Sequence, residues 1–284
     1  MEFERCRYDT SSVTEYADLF RACFPTAAKL ADPAYLRWLY TENPCGNAVG
    51  FNARVEGRLA AHYVCVPADI LVGDRPIRAL LSLNTATHPD FQGKGLFTRL
   101  AELTYENAAA DGFDLVYGVA NANSTPGFVR KLGFALVAPL ESRVGLGRLG
   151  RFDWGRLSEI ARFRHAWSAE TLAWRMRNPA GRISMHASDG DVVRVSAATG
   201  RWAMRAWAEI PMSTEVRERS ENVPVGLRVW LGLLPAGFGR MGLYHPLPQR
   251  LRPSPLNLIV RGLQTPFALA PEEVFFNFLD FDAF

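Results

Sequence analysis

Apolar positions recur at helical spacing in the first forty residues and at strand spacing after them. Tyr16, Leu19, Phe20 and Cys23 form one stripe. This predicts a helix over 11–24, capped by Thr10, Ser11 or Ser12 and stopped by Pro25. Pro33 to Tyr40 reads as a second helix, ending before Asn43-Pro44-Cys45-Gly46. Short strands follow: Ala48–Val55, a turn at Glu56-Gly57, Leu59–Val66, Ala68–Val72, a turn at Gly73-Asp74, and Arg75–Thr87. Leu96, Leu100, Leu103 and Ala108 return to near-helical spacing, predicting a helix from Leu96 to Asp111, stopped by Gly112. Asp114–Ala120 is a strand and 121–125 a polar loop. Pro126 opens a short helix that ends at Leu132-Gly133, and Phe134–Val137 is the next strand. This alternation predicts an α/β domain with a mixed (α+β) sheet.

Gly145 to Gly150 is a short glycine-rich stretch, which predicts two domains, 1–145 and 151–284. Beyond it an echo begins. Leu36-Arg37-Trp38 followed by Asn43-Pro44 returns as Leu172-Ala173-Trp174 followed by Asn178-Pro179. Each is followed by a strand-like segment with a turn, Glu56-Gly57 or Asp189-Gly190. An internal duplication offset by about 136 residues accounts for both. The nearest glycine cluster in the second copy, Gly237 to Gly242, follows Leu-Pro-Ala and reads as a plain loop. The aromatic C-terminus, Phe275 to Phe284, reads as a packed final strand.

Composition narrows the classes. The chain has 284 residues, 48% hydrophobic and 21% charged, as in an ordered globular protein. No run approaches the roughly 20 apolar residues of a membrane helix. The polar start Met1-Glu2-Phe3-Glu4-Arg5 is unlike a signal peptide. The expected location is therefore cytoplasmic. The net charge of +3 is small and evenly spread, which argues against nucleic acid as a partner. Cys6, Cys23, Cys45 and Cys65 are scattered, so free thiols are expected and no metal site.

The candidate chemistry lies in His88-Pro89-Asp90-Phe91-Gln92-Gly93-Lys94-Gly95-Leu96-Phe97-Thr98. A strand ends, glycines turn the backbone, and a helix starts. Glycines allow close approach of a ligand, and the N–H groups of a helix start favour an anion such as pyrophosphate. Downstream stand Asn121, Asn123 and then Phe128-Val129-Arg130-Lys131-Leu132-Gly133-Phe134.

These two motifs, in this order and about 30 residues apart, resemble the signatures of the GNAT superfamily of N-acetyltransferases. The resemblance covers residues 10–140, with Phe97 a departure in the first motif. It implies a duplicated GNAT fold whose second copy is degenerate, acting as an acceptor-cleft wall or as an interface, with a homodimer open. It also implies acetyl-CoA or another acyl-CoA as co-substrate. The pyrophosphate would lie on the N–H groups of Gln92, Gly93, Lys94, Gly95, Leu96, Phe97 and Thr98. The pantetheine arm would pair with Ala86 and Thr87. Asn121 or Asn123 would bond the arm, Phe128 would belong to the same site, and Lys131 or Arg130 would approach the adenosine end.

Many members of that superfamily place a glutamate base in the strand before the glycines and a tyrosine acid in the last helix. This chain has Leu81 and Leu83 in that strand and Val129 in that helix. Asn84 and Tyr117 are the remaining catalytic candidates, one to orient an amine or a water, the other to reach the sulfur. The function implied is acyl transfer to a primary amine by direct attack in a ternary complex. The acceptor would be a small molecule such as an amino sugar, with neither nucleic acid nor membrane as partner. The alternative is a non-catalytic acyl-CoA-binding or regulatory protein.

Overall fold

The computed structural model of the chain describes residues 1–189, 192–200, 204–212, 226–248, 250 and 254–284. Gly190 of the expected Asp189-Gly190 turn lies outside them. Strand β1 (Glu2–Arg5) precedes helix α1 (Thr10–Cys23). The cap of α1 is Asp9 rather than any of residues 10–12. Its carboxylate takes the Ser12 backbone N–H and the hydroxyls of Ser11 and Ser12, which hold its pKa below the usual range. Helix α2 (Pro33–Thr41) starts on Pro33 and is capped by Asp32. Val13, Tyr16, Phe20, Leu36 and Leu39 of these helices pack on one face of the first sheet.

Strands β2 (Val49–Val55), β3 (Arg58–Val72) and β4 (Arg75–Thr87) form an antiparallel meander. The two strands expected on either side of Pro67 are one. Pro67 falls where β3 has run past its neighbour β2, so its missing N–H removes no ladder bond there. Helix α3 (Leu96–Ala110), strand β5 (Leu115–Ala120), helix α4 (Thr125–Leu132) and strand β6 (Ala135–Pro139) follow. Leu96, Leu100, Tyr105, Phe128 and Leu132 bury the second face of the sheet.

Strand β7 (Glu141–Gly145) begins the remainder. It continues through β8 (Gly150–Phe152), α5 (Leu157–Ile160), β9 (Phe163–His165), α6 (Ala169–Met176), β10 (Ile183–Asp189) and β11 (Val192–Ala198). Then come β12 (Met204–Pro211), β13 (Leu227–Leu233), β14 (Gly239–Met241), β15 (Tyr244–Pro246), β16 (Asn257–Gly262) and β17 (Phe276–Asn277). Two expectations change here. Gly239–Met241 is not loop but pairs with β8. The aromatic C-terminus is strand only at Phe276–Asn277, because the Asn277 side chain accepts from the Leu279 N–H and turns the chain into a short 3₁₀ segment.

The first sheet runs β1-β2-β3-β4-β5-β16-β6 and the second β10-β11-β12-β13-β7-β15. Position by position, β2-β3-β4-β5-β16-β6 matches β10-β11-β12-β13-β7-β15, with the fourth strand parallel to the third in both (β4 with β5, β12 with β13). Each half lends a strand to the other: β16 sits between β5 and β6, and β7 between β13 and β15. The boundary expected at 145–151 is therefore crossed in both directions, a pairing between distant segments that no local pattern encodes.

The echoing helices meet where the halves join. The Trp38 and Trp174 rings stack with centroids 4.8 Å apart. Each indole N–H donates to the other residue's backbone carbonyl, at 3.0 and 3.2 Å. The two Asn-Pro segments fold alike as well. Asn43 Oδ1 accepts the Cys45 N–H and Asn178 Oδ1 the Ala180 N–H, the same side-chain turn in each. The four cysteines are free thiols. Among the described residues no helix is long and apolar enough to cross a membrane, and no group of His, Cys, Asp or Glu is placed to hold a metal ion.

Two outcomes follow for stability. Trp174→Ala removes a buried ring and leaves the Trp38 carbonyl without the indole N–H that donates to it; a loss of about 3–5 kcal/mol is expected in urea denaturation. Burial pushes His62 and His165 down to about 3 and pushes Asp280 up to about 7. As pH falls from 6.5 towards 3.8, each unfolded histidine gains a proton that its folded counterpart refuses, which lowers stability. Asp280 acts oppositely, being protonated when folded and ionised when unfolded in that window. Two histidines against one carboxyl leave a net loss of roughly 1.4 kcal/mol per pH unit. Urea midpoints at pH 6.5 and 4.5 check this; equal midpoints would contradict it.

Candidate active site

The site begins where two parallel strands part. β4 pairs with β5 only over Ala79–Ser82 against Leu115–Gly118. Past Ser82, β4 continues to Thr87 with β3 alone beside it, after a register shift that leaves Asn84 as the extra residue with φ 42°. A bulge of this kind bends its strand. β5 meanwhile is held on its other side by β16. The result is a gap whose β4 wall, residues 83–87, has backbone groups that no strand takes on the β5 side.

At the open end of this gap the chain makes the glycine turn. Gly93 and Gly95 have φ of 75° and 73°, the left-handed region that a side chain would strain. Gly95 is the N-cap of α3 and has no side chain to satisfy the helix's first N–H groups. The first intrahelical acceptor is Gly95 itself, for the Arg99 N–H at 3.1 Å. The N–H groups of Leu96, Phe97 and Thr98 have no partner among the described residues. No acidic side chain stands in the first turn of α3 to compete for them. Such a helix start carries partial positive charge and fits an anion.

These groups line a cavity of about 380 Å³ together with Cys23, Phe24, Thr87, Phe91, Gln92 and the two lysines Lys94 and Lys131. Gln92 Nε2 donates to the Thr87 carbonyl at 3.3 Å and ties the turn to the end of β4. The Cys23 thiol donates to the same carbonyl at 3.3 Å. Lys94 lies over the Phe91 ring, 5.1 Å from its centroid. The sequence motifs 30 residues apart are thus one place: Lys131 of α4 faces the turn between β4 and α3.

The expected site residues divide. Thr87 and all of Gln92 to Thr98 line the cavity, as does Lys131. Ala86 precedes them on the free edge of β4, its methyl buried against α1 and α2. Phe97 turns its ring inward, edge-on to Tyr63 and Phe128, so its bulk fills the core beneath the turn rather than the cavity. Three assignments change. Phe128 is a core side chain, packed edge-on against Phe97 and Phe134, and presents nothing to a ligand. Asn121 closes its own turn, its Oδ1 accepting from the N–H groups of Asn123 and Ser124. Tyr117 is fully buried behind the point where the strands part, and its hydroxyl donates to the Asp280 carbonyl at 3.0 Å. Burial raises that phenol's pKa, which adds to the reasons it is no acid for a leaving group. Asn123 is exposed beside the α4 start.

Asn84 stands at the bulge itself, and its Nδ2 donates to the Tyr40 hydroxyl at 3.0 Å. Leu81 is buried against the second half, and Leu83 is half-buried between two apolar clusters, so β4 brings no carboxylate to the gap. Tyr40 and Cys23 are the residues the sequence reading did not single out. Both belong to apolar helical stripes, and only the fold shows that the open ends of those stripes border the gap.

A family model described as an acetyltransferase (GNAT) domain matches residues 6–137. None of the curated proteins matches the sequence. Among solved structures, the chain is similar to a probable N-acyltransferase of unknown function from Enterococcus faecalis, with 11% identity, 93% of this chain and 73% of the other covered, and TM-score 0.60. A GCN5-related N-acetyltransferase from Anabaena variabilis gives 11% identity, the same coverages of 93% and 73%, and TM-score 0.57. Eis1 from Mycobacterium abscessus gives 13% identity, coverages of 81% and 65%, and TM-score 0.52. At these identities the likeness is one of fold, and it extends over both halves of the chain.

Gly95→Asp puts a strained backbone and a negative charge where the free N–H groups converge. Calorimetry with coenzyme A should show binding weakened at least about a hundredfold, with an unchanged circular dichroism spectrum. Retained affinity would remove the anion assignment.

Proposed function

We propose that this chain, whose residues 6–137 match the family model of a GNAT acetyltransferase domain, moves an acetyl or other short acyl group from coenzyme A to a primary amine on a small molecule. The observation that carries the reading is the continuity of the site. The unpartnered N–H groups at Leu96, Phe97 and Thr98, flanked by Lys94 and Lys131, open directly onto the free edge of β4. A pyrophosphate on the first and an extended arm along the second bring a thioester to the bulge at Asn84. The arm pairs with the backbone of Ala86 and Thr87 as an added strand would.

In the ternary complex the amine nitrogen attacks the thioester carbonyl. A C–N bond forms, negative charge develops on the carbonyl oxygen, and backbone N–H groups on the β4 edge stabilise it. Collapse breaks the C–S bond and releases coenzyme A as thiolate, whose ordinary pKa near about 8.5 makes it a tolerable leaving group. The amine's proton passes to water and on to the thiolate. β4 offers Leu81 and Leu83 where a base would stand, and α4 offers Val129 where an acid would, so the amine arrives already neutral. The second half, matched to the first strand for strand, is read as a degenerate copy that walls the acceptor side of the gap.

With amines of different basicity, kcat/KM measured by thiol release should rise about tenfold per pH unit up to each amine's own pKa. The inflection should move with the amine. An inflection fixed near pH 6–7 for every amine would show an enzyme base and overturn this mechanism. Tight coenzyme A binding with no turnover of any amine would favour the binding or regulatory reading, to which Leu81, Leu83 and Val129 already point.

A further inference from the structure

The bulge residue Asn84 is the outer end of a buried hydrogen-bond chain that runs through five elements, β4, α2, β3, β2 and α1. Asn84 Nδ2 donates to Tyr40 Oη at 3.0 Å, and Tyr40 Oη lies 3.2 Å from His62 Nε2. His62 Nδ1 lies 2.7 Å from Asn52 Oδ1, which also accepts the Cys6 thiol at 3.3 Å. Asn52 Nδ2 donates to Tyr16 Oη at 3.0 Å, and Tyr16 donates to the Arg7 carbonyl at 2.9 Å. Tyr16, Tyr40, Asn52 and His62 are all essentially inaccessible to solvent. Tyr16 stacks on the His62 ring, 4.1 Å between centroids.

The inner end of this chain dictates its direction. The Arg7 carbonyl can only accept, so the Tyr16 proton points to it. Tyr16 can then only accept from Asn52, and this turns Asn52 Oδ1 towards His62. His62 must therefore carry its proton on Nδ1 and accept at Nε2. Tyr40 donates to that Nε2 and so accepts from Asn84. Each link leaves one choice for the next, and the last choice is the orientation of the Asn84 amide. Its Nδ2 is taken by Tyr40. Its Oδ1 has no donor among the described residues, and Asn84 is only partly buried at the edge of the gap.

We propose that this chain fixes Asn84 with Oδ1 presented at the bulge as the acceptor for one N–H of the attacking amine, with Tyr40, His62, Asn52 and Tyr16 as positioning residues. The inference rests on the N-acyltransferase reading and names what orients its acceptor. A primary amine held by one N–H keeps its lone pair free for the thioester. An acceptor whose reacting atom carries no hydrogen gains nothing from Asn84. The arrangement stands in for orientation by a carboxylate, which β4 lacks, and it does so without a charge.

The test is a double-mutant cycle with Tyr40→Phe and Asn84→Gly, glycine being chosen because it tolerates the positive φ. Each single variant should lower kcat/KM for a primary amine about tenfold, as for loss of one hydrogen bond to a reacting group, with coenzyme A affinity by calorimetry unchanged. The double variant should be no slower than Asn84→Gly alone, because Tyr40 acts only through Asn84. Losses that multiply in an active enzyme overturn the positioning chain and leave the transfer reading intact. A wild-type protein that binds coenzyme A and acylates no amine sinks the transfer reading, and the role of Asn84 with it. Nitrogen-15 spectra of His62 give a readout independent of turnover: the Nδ1–H tautomer is expected, and Nε2–H would overturn the chain.

Discussion

Everything at this site depends on two parallel strands ceasing to pair after Ser82 and Gly118. A strand edge stripped of its neighbour ordinarily exposes unpaired backbone and invites the wrong partner. Here each separated strand keeps a second support. β4 stays bonded to β3 along its length, and β5 is bonded to β16 from Asn257 to Gly262. The free edge is thus confined to one side of five residues, and the glycine turn at its mouth gives that edge a charged end. The gap between the strands persists because the strands on either side of it, each held by a second neighbour, do not relax into it.

The electrostatics at that mouth come from backbone rather than from many basic side chains. Gly95 leaves the start of α3 uncapped, and the lysines stand at the rim. The interior wall is the opposite case. Tyr40, His62, Asn52 and Tyr16 are polar groups buried without charge, and each is satisfied by the next, which is the condition under which such groups are tolerated in a core. Burial holds His62 neutral, and only the neutral ring can accept from Tyr40. The same low polarity that would penalise a carboxylate at this depth thus keeps the neutral chain in register.

What was legible in the sequence is what is local. Gly93, Gly95 and Gly133 announce their turns because only glycine is comfortable there, and the apolar stripes of α1, α2 and α3 place the helices within a residue or two. The Trp38 and Trp174 echo was visible as spacing and turned out to be a contact. What was not legible depends on partners far along the chain. Pro67 looked like a break because the end of β2 cannot be read from β3. Tyr117 looked like a candidate acid because nothing near it reveals the Asp280 carbonyl that binds its hydroxyl. Phe128 belonged to the right motif yet faces the core. The Asn84 chain draws its members from β2, β3, α1 and α2, each an isolated polar residue in an apolar pattern. Their joint meaning exists only after folding.

The lent strands also impose an order of events. During synthesis β5 emerges well over a hundred residues before β16, the strand that will cover its far edge. Until Gly262 has left the ribosome, the first sheet carries an open edge beside the future binding gap, and the second sheet already holds β7 as its fifth strand. The candidate site is therefore among the last regions of the chain to become complete, although most of its residues are among the first to be made. A nascent or truncated first half would expose that edge to other chains, so this protein's exposure to misassembly is greatest between the two acts of strand donation.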